Sequence, residues 1–248
     1  MLISAIVTTY RRFDKCRRAI DGIQLQTAPV SEIIVVDNGS SEPEYATLHD
    51  VYADAPVPVT VVRLSRNTFL QQPFVGCDGK VICYTYQDSV NVGLCLARGD
   101  WFALCHDDDE WMPHRIERQV EFLGKHPDAM ILGSHVKNRD ESGMELGTHH
   151  FSWPGTPYAD GASDVTHLCT NSTPLIISSM LVSRRLVDTI GPFADWIEDD
   201  LGEQHKRDFW MDRDFLRRAS AVTPILRLDE VLGWYEVGNK KWELKACG

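Results

Sequence analysis

The chain has 248 residues, of which 43% are hydrophobic and 25% are charged. This size and composition are typical of a folded globular domain and exclude a peptide-sized scaffold or a disordered chain. The net charge of −11 disfavours bulk binding to nucleic acid or to an anionic membrane surface.

The cysteines and the hydropathy of the chain indicate where in the cell the protein is expected. The seven cysteines include no C-x-x-C pair, which predicts free thiols in a reducing, cytoplasmic environment. The longest uncharged, mostly apolar stretch, residues 175–182, is far shorter than the roughly 20 residues of a bilayer span. We therefore expect no transmembrane segment. Residues 1–7 also lack the basic and long apolar regions of a signal peptide.

Residues 1–100 alternate short β-branched runs with longer amphipathic segments. This alternation is typical of an α/β fold in which helices connect parallel strands. Residues 65–80 break the pattern and are expected to form a loop. The runs predict helices over residues 12–25 and 82–97, and strands over residues 2–9, 32–37, 57–64 and 101–105.

The remainder of the chain has longer irregular stretches between its predicted elements. Residues 138–162 are rich in Gly, Pro, Asp and Ser, which predicts a hairpin followed by a loop. No internal repeat and no clean linker divides the chain, so we expect one domain. Helices are predicted from Pro113 to about His126 and over residues 207–219, and strands over residues 129–136, 175–182 and 222–228.

The densest functional signal is the run of carboxylates from Asp107 to Glu110, directly after a predicted buried strand. Ligands bind at the carboxyl ends of strands in open α/β sheets. Four adjacent like charges repel one another, and hard oxygen ligands favour Mg²⁺ or Mn²⁺ over zinc. A metal site is therefore predicted. The alternative is a solvated acidic turn that caps the following helix.

Two further segments end predicted strands. Asp37 comes before Asn38 and Gly39, so its carboxylate could accept an N–H of a nucleobase, although an Asx-turn explains the pattern equally well. Basic residues gather between Arg11 and Arg18, at a predicted helix start. That position suits a phosphate-rich ligand. The alternative is a solvated helix face paired with surface carboxylates.

The predicted helix over residues 207–219 places one carboxylate in an unusual position. With 3.6 residues per turn, Asp212 shares the apolar stripe with Phe215 and Leu216. Partial burial would raise its pKa and suit it to act as a general base. Asp214 and Arg218, four residues apart, are expected to form an ion pair.

Together these segments resemble the inverting glycosyltransferases of family two. Residues 7–12, VTTYRR, are similar to V-x-T-Y-N-R, and residues 32–40, EIIVVDNGS, to E-I-I-V-V-D-D-G-S. About residues 80–136 most resemble the spore-coat type, in which two adjacent aspartates precede x-x-[YW]-M-P. The remaining matches are ARGDW at 97–101 to A-x-G-D-[WY], DDDEWMP at 107–113 to D-D-x-x-W-x-P, IGPF at 190–193 to I-G-G-F, and MDRD at 211–214 to E-D-x-D.

The resemblance implies a GT-A fold: a Rossmann-like, mostly parallel central sheet flanked by helices, with a smaller acceptor-side half. Residues 1–248 would form one domain, with a nucleotide-sugar half over 1–110 and an acceptor and catalytic half over 111–248. It also implies a metal-dependent transfer of a sugar, from a UDP- or dTDP-sugar, to an unidentified hydroxyl acceptor. A homo-oligomer is compatible with the sequence.

The same resemblance assigns residue roles. Thr9 and Asp37 would hold the nucleobase, and Tyr10 and Arg12 are placed with the donor nucleotide. Asp107 would lie near the ribose or sugar. The implied metal ligand is Asp108, with Asp109 second, and the implied catalytic base is Asp212.

Three residues depart from the family pattern: Arg11 replaces Asn, His106 stands at the first Asp of D-x-D, and Met211 replaces Glu. We expect His106 to pack or support the site rather than bind metal. The departures keep open a sugar-nucleotide-binding module without catalysis. A nucleotidyltransferase is less favoured, because residues 8–12 contain none of the glycines that its phosphate loop requires.

Overall fold

The computed structural model of the protein describes residues 1–68, 74–75, 81–82, 87–148, 153–170, 172–194, 196–198, 204–206 and 211–237. The strands are β1 (Ile3–Thr9), β2 (Glu32–Asp37), β3 (Val59–Arg63), β4 (Phe74–Val75), β5 (Val81–Ile82), β6 (Trp101–His106), β7 (Glu110–Trp111), β8 (Ile131–Arg139), β9 (Glu145–Thr148), β10 (Thr156–Pro157), β11 (Ala162–Asp164), β12 (Leu181–Ser183), β13 (Trp196–Glu198), β14 (Gln204–Lys206) and β15 (Leu226–Glu236). The helices are α1 (Phe13–Gln24), α2 (Glu42–Val51), α3 (Gln87–Leu96), α4 (Arg115–Lys125), α5 (Arg184–Ile190) and α6 (Met211–Ser220), with 3-10 turns at Thr166–Leu168 and Ile177–Ser179.

One sheet runs through the fold in the order β10-β11-β15-β8-β12-β6-β1-β2-β3. Strands β3, β2, β1 and β6 are parallel neighbours, and β15 is parallel to β8. The short β12 is antiparallel to both β6 and β8, so these two strands share one direction. The carboxyl ends of β1, β2, β6, β8 and β15 therefore lie at one edge of a mostly parallel sheet.

Side chains alternate between two helical layers because successive residues of a strand point to opposite faces. On one face, Val7 belongs to a core with α1, α2 and α4, represented by Ile20, Leu48 and Ile116. On the other face, Ile6 packs in a core with α3, α5 and α6, which includes Val90, Leu186 and Phe215. Each such buried side chain contributes about 1.5–3 kcal/mol. The predicted α/β class with a helix-flanked, mostly parallel sheet is confirmed.

The segment over residues 175–182 was predicted as a strand, and this prediction is wrong for most of it. Residues 177–179 form a 3-10 turn and only Leu181–Ser183 joins the sheet. The apolar run is buried, as expected, but the carbonyls of its turn accept hydrogen bonds from side chains of α4. The Ser179 carbonyl, for example, accepts from Gln119 Nε2 at 3.0 Å.

Other boundaries also differ. The strand predicted over 222–228 begins at Leu226 and runs to Glu236, because pairing with β8 carries it into the predicted tail. Ile82, the predicted start of helix α3, lies in β5, and residues 83–86 lie outside the described residues. Helix α5 was not predicted. Within the predicted loop 65–80, Phe74–Val75 pairs with Val81–Ile82. Residues 69–73 and 76–80 lie outside the described residues.

No helix among the described residues is both long and apolar enough to cross a bilayer.

Candidate active site

The candidate site lies where β1, β2 and β6 end together. The Asn38 N–H donates to the Thr9 carbonyl at 2.8 Å, and the Asp107 N–H donates to the Thr8 carbonyl at 3.1 Å. These backbone bonds hold the loops after three strands side by side. Thr9, Asp37 and the acidic turn after His106, here residues 107–110, therefore meet at one edge of the sheet.

Asp107 is fully buried at the centre of this edge. Its carboxylate accepts hydrogen bonds from Thr9 Oγ1 at 3.0 Å and the Tyr10 N–H at 3.4 Å, and Arg12 Nη2 lies 2.6 Å away. Burial raises the pKa of Asp107, and the Arg12 cation opposes that rise. The structure thus brings together four residues predicted to contact the nucleotide: Thr9, Tyr10, Arg12 and Asp107.

Asp108 is the partly exposed carboxylate among residues 107–109, with 22% of its side chain accessible. Arg12 Nη1 lies 2.7 Å from Asp108 Oδ2, so one guanidinium bridges Asp107 and Asp108. The Arg12 side chain is itself 47% exposed. Asp108 and Arg12 therefore present opposite charges side by side to solvent.

Asp109, predicted as the second metal ligand, is turned into the protein and is only 1% exposed. Its carboxylate accepts a hydrogen bond from the Ser178 hydroxyl and another from the Glu236 N–H at 3.1 Å. Burial raises the pKa of Asp109 well above its ordinary value. Adjacent carboxylates repel one another, and here they point in different directions. In this structure Asp109 is held inside the protein and Asp108 is partly exposed, and metal binding by either residue remains a prediction.

His106 ends β6, and its Nδ1 lies 2.8 Å from Thr8 Oγ1. Burial lowers the pKa of the imidazole to about 4. The ring is therefore neutral near pH 7, and its contact with Thr8 supports the packing role predicted for it.

Asp37 forms an Asx-type turn at the end of β2. Its carboxylate accepts from the Ser40 N–H at 3.2 Å and from Ser40 Oγ at 2.5 Å. Gly39 between them has φ +83°, and a Cβ there would lie 2.5 Å from the Arg66 backbone. Only glycine fits this turn. The structural explanation of the motif is thus observed, and the contact with a nucleobase remains a prediction.

Two basic residues of α1 bind a carboxylate from a distant part of the chain. Lys15 and Arg18 both contact the carboxylate of Glu236 at the end of β15, the latter at 2.9 Å. Arg139, at the end of β8, lies 2.6 Å from Glu110. Glu236 and Arg139 were not predicted, because the sequence pattern ends both strands before these residues.

Asp212 lies at the start of α6 and is 7% exposed. Burial raises its pKa to about 6, as its position on the apolar stripe predicts. Among the described residues no hydrogen bond joins it to the Asp107 cluster. The predicted pair of Asp214 and Arg218 is confirmed at 2.7 Å, and Arg218 also donates to the Pro192 carbonyl at 2.8 Å.

The sequence profile described as "Glycosyl transferase family 2" matches residues 4–72 and 85–190. The chain belongs to glycosyl transferase family 2. The matched residues include β1, β2, β6 and the acidic turn, so the family match covers the edge of the sheet described above. The resemblance stated from the sequence motifs is confirmed.

Two curated relatives cover most of this family 2 chain. Protein CgeD of Bacillus subtilis (strain 168) is 25% identical over 235 residues, which are 93% of this chain and 49% of CgeD. An uncharacterized glycosyltransferase of Rickettsia typhi is 26% identical over 231 residues, 88% of this chain and 60% of that protein. The chain thus spans about half the length of these relatives.

Solved structures share the fold. S. aureus TarS superposes with a TM-score of 0.67 at 17% identity, over 96% of this chain and 37% of TarS. A structure of TarS residues 1–349 in complex with UDP-GlcNAc also has a TM-score of 0.67, over 96% of this chain and 59% of that one. The mostly parallel, helix-flanked sheet is therefore a GT-A fold.

Proposed function

We propose that the protein transfers a sugar from a nucleoside diphosphate sugar to an acceptor hydroxyl, with inversion and with the help of a divalent cation. The observation that carries the proposal is the pairing of partly exposed Asp108 and Arg12 beside the buried Thr9–Asp107 contact. In a family 2 chain, this edge offers a carboxylate for a cation and a guanidinium for a diphosphate. TarS binds UDP-GlcNAc, which favours a UDP-sugar over a dTDP-sugar.

The residues present fit a cation held partly by the protein and partly by the phosphates of the substrate. Among the described residues no group of three or more His, Cys, Asp or Glu side chains could hold a metal ion. Mg²⁺ is commonly held by one or two carboxylates together with substrate phosphates, and Asp108 supplies one partly exposed carboxylate. Mn²⁺ or Mg²⁺ held by Asp108 would neutralise charge on the departing diphosphate.

In the proposed mechanism, Thr9, Tyr10 and Asp37 hold the nucleotide and Arg12 binds a phosphate oxygen. The acceptor oxygen forms a bond to the anomeric carbon while the bond from that carbon to the phosphate oxygen breaks. The proton of the acceptor hydroxyl goes to Asp212. One displacement inverts the anomeric configuration. With a pKa raised to about 6, Asp212 is still mostly deprotonated at neutral pH, and it is more basic than an exposed aspartate.

A thermal-shift panel of UDP-, dTDP- and GDP-sugars, each with and without Mn²⁺, tests the proposal. A ligand at about a hundred times its Kd adds about 2.7 kcal/mol, which raises Tm by about 5 °C or more in a chain of this size. We expect this shift with a UDP-sugar and Mn²⁺. Asp108→Asn should remove the portion of the Tm shift that depends on Mn²⁺. Asp54→Asn, a control at an exposed position, should leave the shift unchanged. No shift with any nucleotide sugar would overturn the proposal.

A binding module without catalysis is the second candidate, favoured by the neutral His106, which stands at the first Asp of the D-x-D pattern. Slow release of UDP from the donor sugar separates the two candidates. Turnover that Asp212→Asn lowers at least a hundredfold, with unchanged UDP affinity, would support the enzyme. Binding without any turnover would support the module.

A further inference from the structure

Ser178 lies in the 3-10 turn Ile177–Ser179, outside the motifs that define the candidate site, and is 5% exposed. Its hydroxyl donates a hydrogen bond to the Asp109 carboxylate and accepts one from the His106 N–H at 3.0 Å. His106 and Asp109 stand on either side of Asp107 and Asp108. One hydroxyl therefore holds both ends of the segment that carries the predicted metal ligand.

The direction of each hydrogen bond follows from the donors available. A backbone N–H can only donate, so the His106 N–H uses a lone pair of Ser178 Oγ. The hydroxyl hydrogen is then available for Asp109 Oδ2, which accepts it. Ser178 thus acts as donor and acceptor at once, a combination that alanine cannot supply.

The same side chain continues the pairing of β6 past Leu181, the first residue of β12. The Leu104 N–H donates to the Met180 carbonyl at 3.2 Å. Two residues further along β6, the His106 N–H meets the Ser178 hydroxyl instead of a backbone carbonyl. The opposite side of β6 stays paired with β1 up to Asp107 and Thr8. The end of β6 is therefore held from both sides.

Arg115 of α4, which is fully buried, holds the turn that carries Ser178. Its Nη1 donates to the Ser178 carbonyl at 2.6 Å and its Nη2 to the Met180 carbonyl at 2.9 Å. The guanidinium carbon lies 3.9 Å from the centroid of the Trp111 ring. A buried cation is costly without hydrogen bonds, so these carbonyls and the arginine stabilise each other.

We propose that Ser178, held in place by Arg115, is a positioning residue that orients the acidic turn so that Asp108 faces solvent and Asp109 does not. The role in metal and nucleotide binding rests on the proposed function. Without the hydroxyl, the buried Asp109 carboxylate keeps, among the described residues, the Glu236 N–H as its one donor. It then turns towards solvent, where its charge competes with Asp108 for Arg12.

The experiment compares Ser178→Ala with Ser179→Ala in the 248-residue chain. Ser179 is the matched control because it is in the same turn, is equally small, and donates only to the nearby Ile176 carbonyl at 2.7 Å. UDP binding is measured by calorimetry with Mn²⁺ and with EDTA, on variants shown to be folded at the temperature used. Leaving a buried carboxylate without one donor should weaken Mn²⁺-dependent UDP binding about tenfold in Ser178→Ala, and less than twofold in Ser179→Ala.

A purely structural role would lower the free energy of unfolding but leave the UDP affinity of the folded protein unchanged, and this result would overturn the proposal. Ser178→Cys fills the space with a weak donor, so it provides the comparison if Ser178→Ala does not fold. Mn²⁺-dependent UDP binding should be weakened in Ser178→Cys as well.

Hydrogen exchange separates this proposal from the proposed function. The His106 amide should exchange at least tenfold faster in Ser178→Ala than in the wild type or in Ser179→Ala, with no nucleotide present. If the wild type binds no UDP, the proposed function fails, and the exchange rate alone then decides whether Ser178 holds the turn. Unchanged exchange at His106 would overturn the positioning role.

Discussion

Asp107, Asp108 and Asp109 are neighbours with the same side chain, yet the fold gives them three environments. Asp107 is buried against Arg12, Asp108 is partly exposed, and Asp109 is buried against Ser178. A carboxylate is stable inside a protein only when donors replace its water. The different donors around each residue, rather than the shared residue type, decide which of the three can meet a ligand.

Asp212→Asn should stabilise the protein near neutral pH. The folded-state pKa, raised to about 6 from 3.8, means that the folded protein binds more protons than the unfolded chain between these two values. Stability therefore falls as pH rises from about 4 to about 6 and stays lower above. Removing the charge should raise the free energy of unfolding by about 1–3 kcal/mol at pH 7.5.

Urea denaturation at pH 4.5 and pH 7.5 measures this effect, with Asp54→Asn as the exposed control. The gain from Asp212→Asn should be much smaller at pH 4.5. An equal gain at both pH values would show that burial of the charge is not the cause.

Arg11→Asn should also stabilise the protein. Arg11 has φ +55°, in the left-handed region that asparagine tolerates better than long side chains do. Its guanidinium lies 5.3 Å from the centre of the Tyr10 ring, a contact that the change removes. We expect a net gain of about 0.5–1 kcal/mol. Arg17→Asn, on the exposed side of α1, should instead cost about 0.5 kcal/mol. If thermal unfolding shows no increase in the stability of Arg11→Asn, the backbone at Arg11 is not strained.

Between elements, one helical glycine lies against the sheet and another faces solvent. Gly93 of α3 lies against β1, where an added Cβ would be 2.3 Å from Ile6 Cγ2. Gly124 of α4 has no atom within 4 Å of such a Cβ. Gly93 is therefore needed for close packing of α3, whereas Gly124 only adds freedom to the unfolded chain.

Gly93→Ala and Gly124→Ala form a matched pair of helix substitutions. Gly93→Ala should lower the free energy of unfolding by about 1–3 kcal/mol, because the overlap with Ile6 exceeds the gain in helix propensity. Gly124→Ala should raise it by about 0.5–1 kcal/mol. Chemical denaturation of both variants gives the comparison. Similar effects at the two positions would exclude close packing as the reason for Gly93.

At the scale of the whole fold, the last residue of β15, Glu236, contacts helix α1. Glu236 is 4% exposed, its carboxylate contacts Lys15 and Arg18, and its N–H donates to Asp109. Residues 1–110 and 111–248 thus share an ion-pair cluster as well as one continuous sheet. The net charge of −11 does not describe this edge, where acidic and basic groups are paired.

Glu236→Gln should lower the free energy of unfolding by about 1–3 kcal/mol. The loss is below that of a fully buried ion pair, because Lys15 and Arg18 are partly exposed and are rehydrated. Glu121→Gln removes an exposed contact with Arg118 and should change stability by less than about 0.5 kcal/mol. Equal effects in urea denaturation would show that Glu236 does not join the two parts of the chain.

Much of the first half of the fold could be predicted, because β1 and β2 are rich in β-branched residues and are buried on both faces. Strand β2 was predicted with its observed bounds, and the sheet edge that holds Thr9, Asp37 and Asp107 followed from strands that end there. The position of Asp212 on a buried helical stripe followed from its spacing. These features depend on local periodicity, which a sequence contains directly.

Tertiary contacts decided the rest. The apolar run 175–182 folds into a turn because Arg115 and Gln119, far away in the chain, bind its carbonyls. Strand β15 runs on to Glu236 because β8 pairs with it, and the end of β15 then supplies partners for Lys15 and Asp109. The orientation of Asp108 and Asp109 depends on Arg12 and Ser178, whose positions no local pattern contains. Periodicity specifies which face of an element is buried, but only the packed fold specifies which donors a buried carboxylate meets.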